Sequence, residues 1–169
     1  GRRFNGPYDP SKGLLYDRKK PILDPYAKAV TGQRAWGAAK QSGVYLARVV
    51  KDNYVWKKAD FPRTKMEDTI IYEMHVRGFT VDPSSGVRFP GTFAGLTEKI
   101  PYLKQLGVNC VELMPVFTFD EFENERVIDG RQLMNYWGYS TVGFFAPKAG
   151  YAASAAFGLE ADELKTQIR

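Results

Sequence analysis

The sequence predicts an α/β fold built on parallel strands. Three segments carry that prediction. Ile70–Thr80, IIYEMHVRGFT, is rich in β-branched and aromatic residues and alternates with a period of two. Val108–Val116, VNCVELMPV, is a near-continuous apolar run of the kind found in a strand buried on both faces. Between them, Leu96, Ile100, Leu103 and Leu106 recur at helical spacing. Strand, helix, strand is a βαβ unit, which implies parallel pairing and a right-handed crossover.

The first of these segments organises the rest. Read as one strand, it puts Tyr72, Met74 and Val76 on one face and Glu73, His75 and Arg77 on the other. Such a charged face is costly to bury unless it is paired or lines a polar cavity. It fits either a sheet whose front approaches a site or an edge strand with one wet face.

Taken in order, residues 1–20 are rich in turn formers, with Asn5-Gly6-Pro7, Asp9-Pro10 and Gly13. Arg2–Phe4 fits the end of a strand, and Tyr26–Val30 one helical turn. Val44–Val50 and Tyr54–Trp56 are expected to be short strands, and Asp60–Met66 a linker. In the helix after the organising strand, Thr97 is the expected cap of the main part. Pro101 lies in its first turns and Gly107 is its stop. A long connection, Phe117 to about Phe157, opens acidic with Asp120, Glu121, Glu123, Glu125 and Asp129. It then turns aromatic. A loop of that length is usually functional. Leu159–Arg169 opens another helix.

The 169 residues carry a net charge of +5, unevenly spread. Residues 1–68 hold 15 Lys/Arg against 7 Asp/Glu, and the remainder 9 against 12. The sign change puts a domain boundary near Met66–Thr69. The basic residues are scattered and no nucleic-acid motif accompanies them, so a solvated surface is favoured over a nucleic-acid face. The single cysteine, Cys110, is expected to be a buried inert thiol. It requires no oxidising compartment. No apolar run is long enough to span a membrane.

A single histidine excludes a two-His metal site, and no cysteine pair is present for zinc. Neither a GxxxxGK[ST] loop nor a GxGxxG after a strand occurs. What remains is carboxylates and aromatics. Tyr136, Trp137 and Tyr139 are either platforms for sugar rings or packing for their own loop. Glu73, Glu112 and the acidic stretch supply carboxylates, but spacing singles out no catalytic pair.

Three blocks, IIYEMHVRGFT, GTFAGLTEKIPYLKQLGVNCVELMPV and NYWGYSTVGFFAP, together resemble the α-amylase clan, glycoside hydrolase family 13. The likeness is greatest to isoamylase-type and glycogen-debranching enzymes. Upstream, RRFNGPYDPSKG is similar to the exit of their N-terminal glucan-binding β-sandwich (carbohydrate-binding module family 48). PILDPYAKAV is similar to the connector that follows. The resemblance implies residues 1–20 as the end of the sandwich, 21–68 as connector, and 69–169 as the start of a (β/α)8 barrel. Ile70–Thr80 and Val108–Pro115 are then its first two strands. It implies a sugar contact for Tyr139, preceded by Gly138, with Trp137 and Asn135 in the same cleft. Glu73, His75 and Arg77 become polar lining and support.

The family's three catalytic carboxylates lie on the fourth, fifth and seventh strands. The resemblance therefore assigns no catalytic residue within these 169 positions, and the chain alone is expected to be inactive. The implied parent reaction is retaining hydrolysis of α-1,6 branch points in glycogen or starch-like glucans, with no organic cofactor. A structural calcium occurs in the clan, but no ligand set is marked here. A branching enzyme or glucanotransferase, and a non-catalytic glucan-binding piece, are the alternatives. The implied partner is an α-glucan, with no nucleic acid or membrane, in a cytoplasmic setting.

Overall fold

In the computed structural model, residues 2–40, 43–56, 62–124, 126–154 and 159–168 are described. Asp60 and Phe61 of the expected linker, Glu125 of the acidic stretch, residues 155–158 at the end of the long connection, and Arg169 lie outside them.

The chain opens with a small hairpin, β1 (Tyr8–Asp9) and β2 (Leu14–Leu15), turned at Gly13 in the left-handed region. Arg2 bridges to Ile22, and Val30 to Ala47, each as an isolated antiparallel pair. Val44–Val50 and Tyr54–Trp56 do not form strands; the Ala47 bridge is the only sheet pairing there among the described residues.

The predicted parallel pair is present. Strand β3 (Ile71–Met74) runs beside β4 (Cys110–Leu113), in register from Ile71↔Cys110 to Met74↔Leu113. The Asn109 side chain sets this register. Its carbonyl accepts from Ile70 N–H at 2.8 Å, and its amide donates to the Asp68 carbonyl at 2.8 Å.

The organising segment is shorter as a strand than its pattern suggests. After Met74 the chain turns into helix α1 (Val76–Thr80), capped by the His75 ring. The alternation through Thr80 was a coincidence of composition. His75 and Arg77 therefore do not extend the Glu73 face.

After α1, two further helices complete the connection from β3 to β4: α2 (Phe93–Glu98) and α3 (Ile100–Gln105). Thr92, not Thr97, caps α2, accepting from Gly95 N–H at 3.1 Å. Thr97 bonds back to the Phe93 carbonyl. The break falls at Lys99, because Pro101 has no N–H to continue the ladder. Gly107 ends the unit with φ +91°.

The long connection is largely ordered. Strand β5 (Phe117–Phe119) pairs antiparallel with β8 (Thr141–Pro147) through an irregular register. Between them, β6 (Val127–Ile128) and β7 (Arg131–Gln132) form a hairpin turned at Asp129-Gly130, both left-handed. Helix α4 (Glu160–Ile168) closes the described chain. It lies against α2 and β8.

The main core joins Met74, Val76, Phe93, Leu96, Leu103, Val108, Phe119 and Tyr151. Trp36 from the N-terminal third and Leu164 of α4 pack on it. Leu96 and Leu103 are buried, whereas Ile100 and Leu106 are not. Val111 and Leu113 share a groove with Leu96, Ile100 and Leu103. By alternation Ile71, Glu73, Cys110 and Glu112 belong to the opposite face. All four are exposed, so Cys110 is a surface thiol here rather than a buried one. The double burial expected of β4 is absent for the same reason.

Candidate functional site

The carboxyl end of β3 is where the polar and aromatic groups converge. His75 follows directly on Met74 and is buried. Its Nδ1 accepts from Gly78 N–H at 2.9 Å. Its Nε2 lies 2.7 Å from the Tyr136 carbonyl and 3.1 Å from the Tyr151 hydroxyl. Burial, helped by the nearby Arg77 charge, holds the imidazole below its ordinary pKa, and the bond to the Tyr136 carbonyl only partly opposes this.

Trp36 is the hub beneath these groups. It stacks on Tyr151 at 5.8 Å and meets His75, Phe119 and Tyr136 edge-on. The Arg77 guanidinium sits 5.0 Å from its ring centre.

The aromatic loop, residues 135–140, rests on this base. Asn135 is bound within it. Its amide donates to Glu123 Oε1 at 2.9 Å and to the Tyr139 carbonyl at 2.7 Å, and its Oδ1 accepts from Gly138 N–H at 3.1 Å. Gly138 has φ +86°, and a Cβ there would come within 2.6 Å of the Phe119 ring. The loop needs glycine at that point for both reasons. Trp137 and Tyr139, flanking it, are 63% and 55% exposed. Their ring centres are 6.4 Å apart, tilted by 49°. The two aromatic residues predicted for the site are thus neighbours on the surface, with Asn135 shaping the loop that carries them.

Beneath the loop lies a buried ion pair that sequence reasoning did not single out. Lys148 Nζ is 2.8 Å from Glu121 Oε1, and both side chains are inaccessible to solvent. Lys148 also donates to the Phe119 carbonyl at 2.9 Å and to Gln33 Oε1 at 3.2 Å. Glu121 Oε2 accepts from Gly37 N–H. The Glu121 backbone donates to Gln33 Oε1 and accepts from Asn135 N–H. Burial lowers the Lys148 pKa, and the Glu121 charge partly restores it. Burial and the same Glu121 charge push the Tyr151 hydroxyl far above its ordinary value.

Glu73 and Glu112 sit side by side in the β3–β4 register, both exposed. Among the described residues neither makes a hydrogen bond or ring contact with a histidine or an aromatic platform, and the geometry builds no catalytic pair from them. Among the described residues no group of His, Cys, Asp and Glu comes together to hold a metal ion. Among the described residues no helix is long and apolar enough to cross a membrane.

Trp36, Glu121, Lys148 and Tyr151 were not legible as site residues. Each needs a long-range partner, and no local spacing announces it. A tryptophan within the otherwise small and polar stretch 32–40 was the one available signal.

No family profile matches the chain. Individual relatives do. It is 39% identical to "Isoamylase 1, chloroplastic" of Arabidopsis thaliana, over 92% of this chain and 21% of that protein. It is 38% identical to the "Glycogen operon protein GlgX homolog" of Mycobacterium tuberculosis, over 100% of this chain and 26% of that one. Among solved structures, the pullulanase of Anoxybacillus sp. LM18-11 complexed with maltotetraose superposes with a TM-score of 0.64 at 36% identity. That match covers 87% of this chain and 22% of the pullulanase. Pullulanase type I of Bacillus subtilis str. 168, complexed with maltose, gives 0.66 at 30%, over 91% and 22%. The chain thus spans about a fifth to a quarter of the length of the proteins it matches. Over that span it belongs to glycoside hydrolase family 13, in the group of isoamylases, glycogen-debranching proteins and pullulanases.

Proposed function

We propose that this chain supplies one wall of the α-glucan cleft of a debranching hydrolase. The parent reaction is retaining cleavage of α-1,6 branch points in glycogen or starch-like glucans. One observation carries the reading. Two exposed aromatic rings, Trp137 and Tyr139, stand on a loop bonded to the residue that follows β3. Ligands of α/β sheets bind beyond the carboxyl ends of the strands, where this loop sits. Aromatic faces offer sugar rings apolar area at little entropic cost. Two of the pullulanases that this chain resembles are complexes with maltotetraose and maltose.

In this reading Tyr139 packs against the sugar at the cleaved bond, Trp137 extends the platform, and Asn135 holds both. Strands β3 and β4 are the first two of a (β/α)8 barrel, of which residues 69–169 form the start. Residues 1–20 end a glucan-binding sandwich and 21–68 connect the two. The parallel pair and its helical crossover support the barrel assignment. A cytoplasmic setting belongs to the same proposal.

None of the 169 residues is assigned as nucleophile or acid/base, so catalysis needs carboxylates from further strands. The test is release of reducing ends from amylopectin. The native polypeptide that carries this sequence is expected to release them, and the 169 residues alone to release none. Turnover by the 169 residues alone would refute the assignment of catalysis to strands outside them.

A further inference from the structure

We propose that His75 is a positioning residue for the aromatic loop, tying residues 135–140 to the end of β3 through its two ring nitrogens. The argument begins with the tautomer. A backbone N–H only donates, so the Nδ1 that Gly78 N–H addresses at 2.9 Å carries no proton. The neutral ring then has its proton on Nε2. That proton points to the Tyr136 carbonyl at 2.7 Å, with the Tyr151 hydroxyl at 3.1 Å as a second acceptor. One ring thereby caps α1 and holds the loop, and each nitrogen has one task.

The loop is fixed at more than its carbonyl. The Tyr136 ring stacks on the imidazole at 4.3 Å, 10° from parallel. Its hydroxyl lies over the bare Cα of Gly78, where a Cβ would come within 2.7 Å of it. Tyr136 is thus seated by backbone, ring face and hydroxyl tip, all from residues 75–78. Trp137 follows directly and Tyr139 two residues later. The charged and titratable groups around the ring are Arg77 on α1, Tyr136 on the loop and Tyr151 beyond β8. None is a carboxylate, so the surroundings favour the neutral ring that the geometry requires. The functional part of this inference rests on the reading that Trp137 and Tyr139 contact glucan.

Two substitutions separate positioning from capping. His75→Asn places an acceptor near the Nδ1 position and keeps the cap, but removes the Nε2 donor. His75→Gln reaches the Nε2 position with a donor and gives up the cap. The measurement is amide hydrogen exchange of residues 135–140 in the native polypeptide that carries this sequence. We expect His75→Asn to speed exchange there about tenfold and His75→Gln to leave it near wild type. Should His75→Asn fail to fold, Gly78→Ala serves instead, since it displaces the Tyr136 hydroxyl with His75 intact. It should speed the same amides. Unchanged exchange in whichever of these two is measured, or equal effects of the two His75 substitutions, overturns the proposal.

Maltotetraose affinity of Tyr139→Ala is measured in parallel. A loss of affinity there supports the functional part. Unchanged affinity overturns the functional part and the glucan reading beneath it, while the exchange result still decides whether His75 holds the loop.

Discussion

Lys148 Nζ lies 2.8 Å from Glu121 Oε1, and neither side chain reaches solvent. The pair joins three distant parts of the chain, because Gln33 and Gly37 bond to it from the N-terminal third. Removing one partner leaves a buried charge without its counter-ion. Glu121→Ala is therefore expected to destabilise the protein by about 3–5 kcal/mol, measured by denaturant unfolding. Replacing both residues with apolar groups of similar volume should recover much of that loss. A loss for Glu121→Ala within about 0.5 kcal/mol would show that Lys148 is not held as a charged group.

His75 makes stability depend on pH in a defined direction. Its ordinary pKa is 6.5, and burial lowers it in the folded state. As pH falls below that ordinary value, the unfolded chain takes up its proton before the folded chain does. This contribution is therefore fully present above about pH 6.5 and is lost progressively below it. His75→Gln should flatten that part of the stability profile between about pH 7 and pH 5. An unchanged slope would mean that the ring is as solvated when folded as when unfolded.

Two glycines with positive φ should answer differently to substitution. Gly138→Ala meets the Phe119 ring at 2.6 Å and is strained at φ +86° as well. It should cost about 1–3 kcal/mol and weaken glucan binding, because Tyr139 is its neighbour. Gly130 has φ +73° and open space around it. Gly130→Asn in the hairpin turn should cost less than about 0.5 kcal/mol, since asparagine tolerates that conformation. Thermal melts of the two variants check the contrast.

Trp36 is the fourth stability test. It touches His75, Phe119, Tyr136 and Tyr151 at once. Trp36→Ala should cost about 3–5 kcal/mol in denaturant unfolding. It should also loosen the aromatic loop, because Tyr136 would lose its edge contact.

The parallel pair was legible because β3 and β4 are dense in β-branched and apolar residues and Gly107 marks the end of the helical crossover before β4. Helix α1 was not. The alternation of IIYEMHVRGFT continues through His75, and nothing local shows that the imidazole would cap a helix instead of joining a strand. The split of α2 from α3 follows from Pro101, which interrupts the ladder although the leucine spacing runs straight through it. The ordered connection between β5 and β8 carried one missed local sign, the Asp129-Gly130 turn. In the site, the block NYWGY pointed to Asn135, Trp137 and Tyr139. Their buried support did not show, because Trp36, Glu121, Lys148 and Tyr151 acquire their roles only through contacts across the chain.

The most direct test of the glucan cleft is the affinity of the native polypeptide for maltotetraose with and without Tyr139→Ala, measured by calorimetry. The account predicts about a tenfold loss, near 1.4 kcal/mol, with the fold intact because the ring is already exposed. Unchanged affinity in a folded Tyr139→Ala protein would contradict it and place the sugar elsewhere.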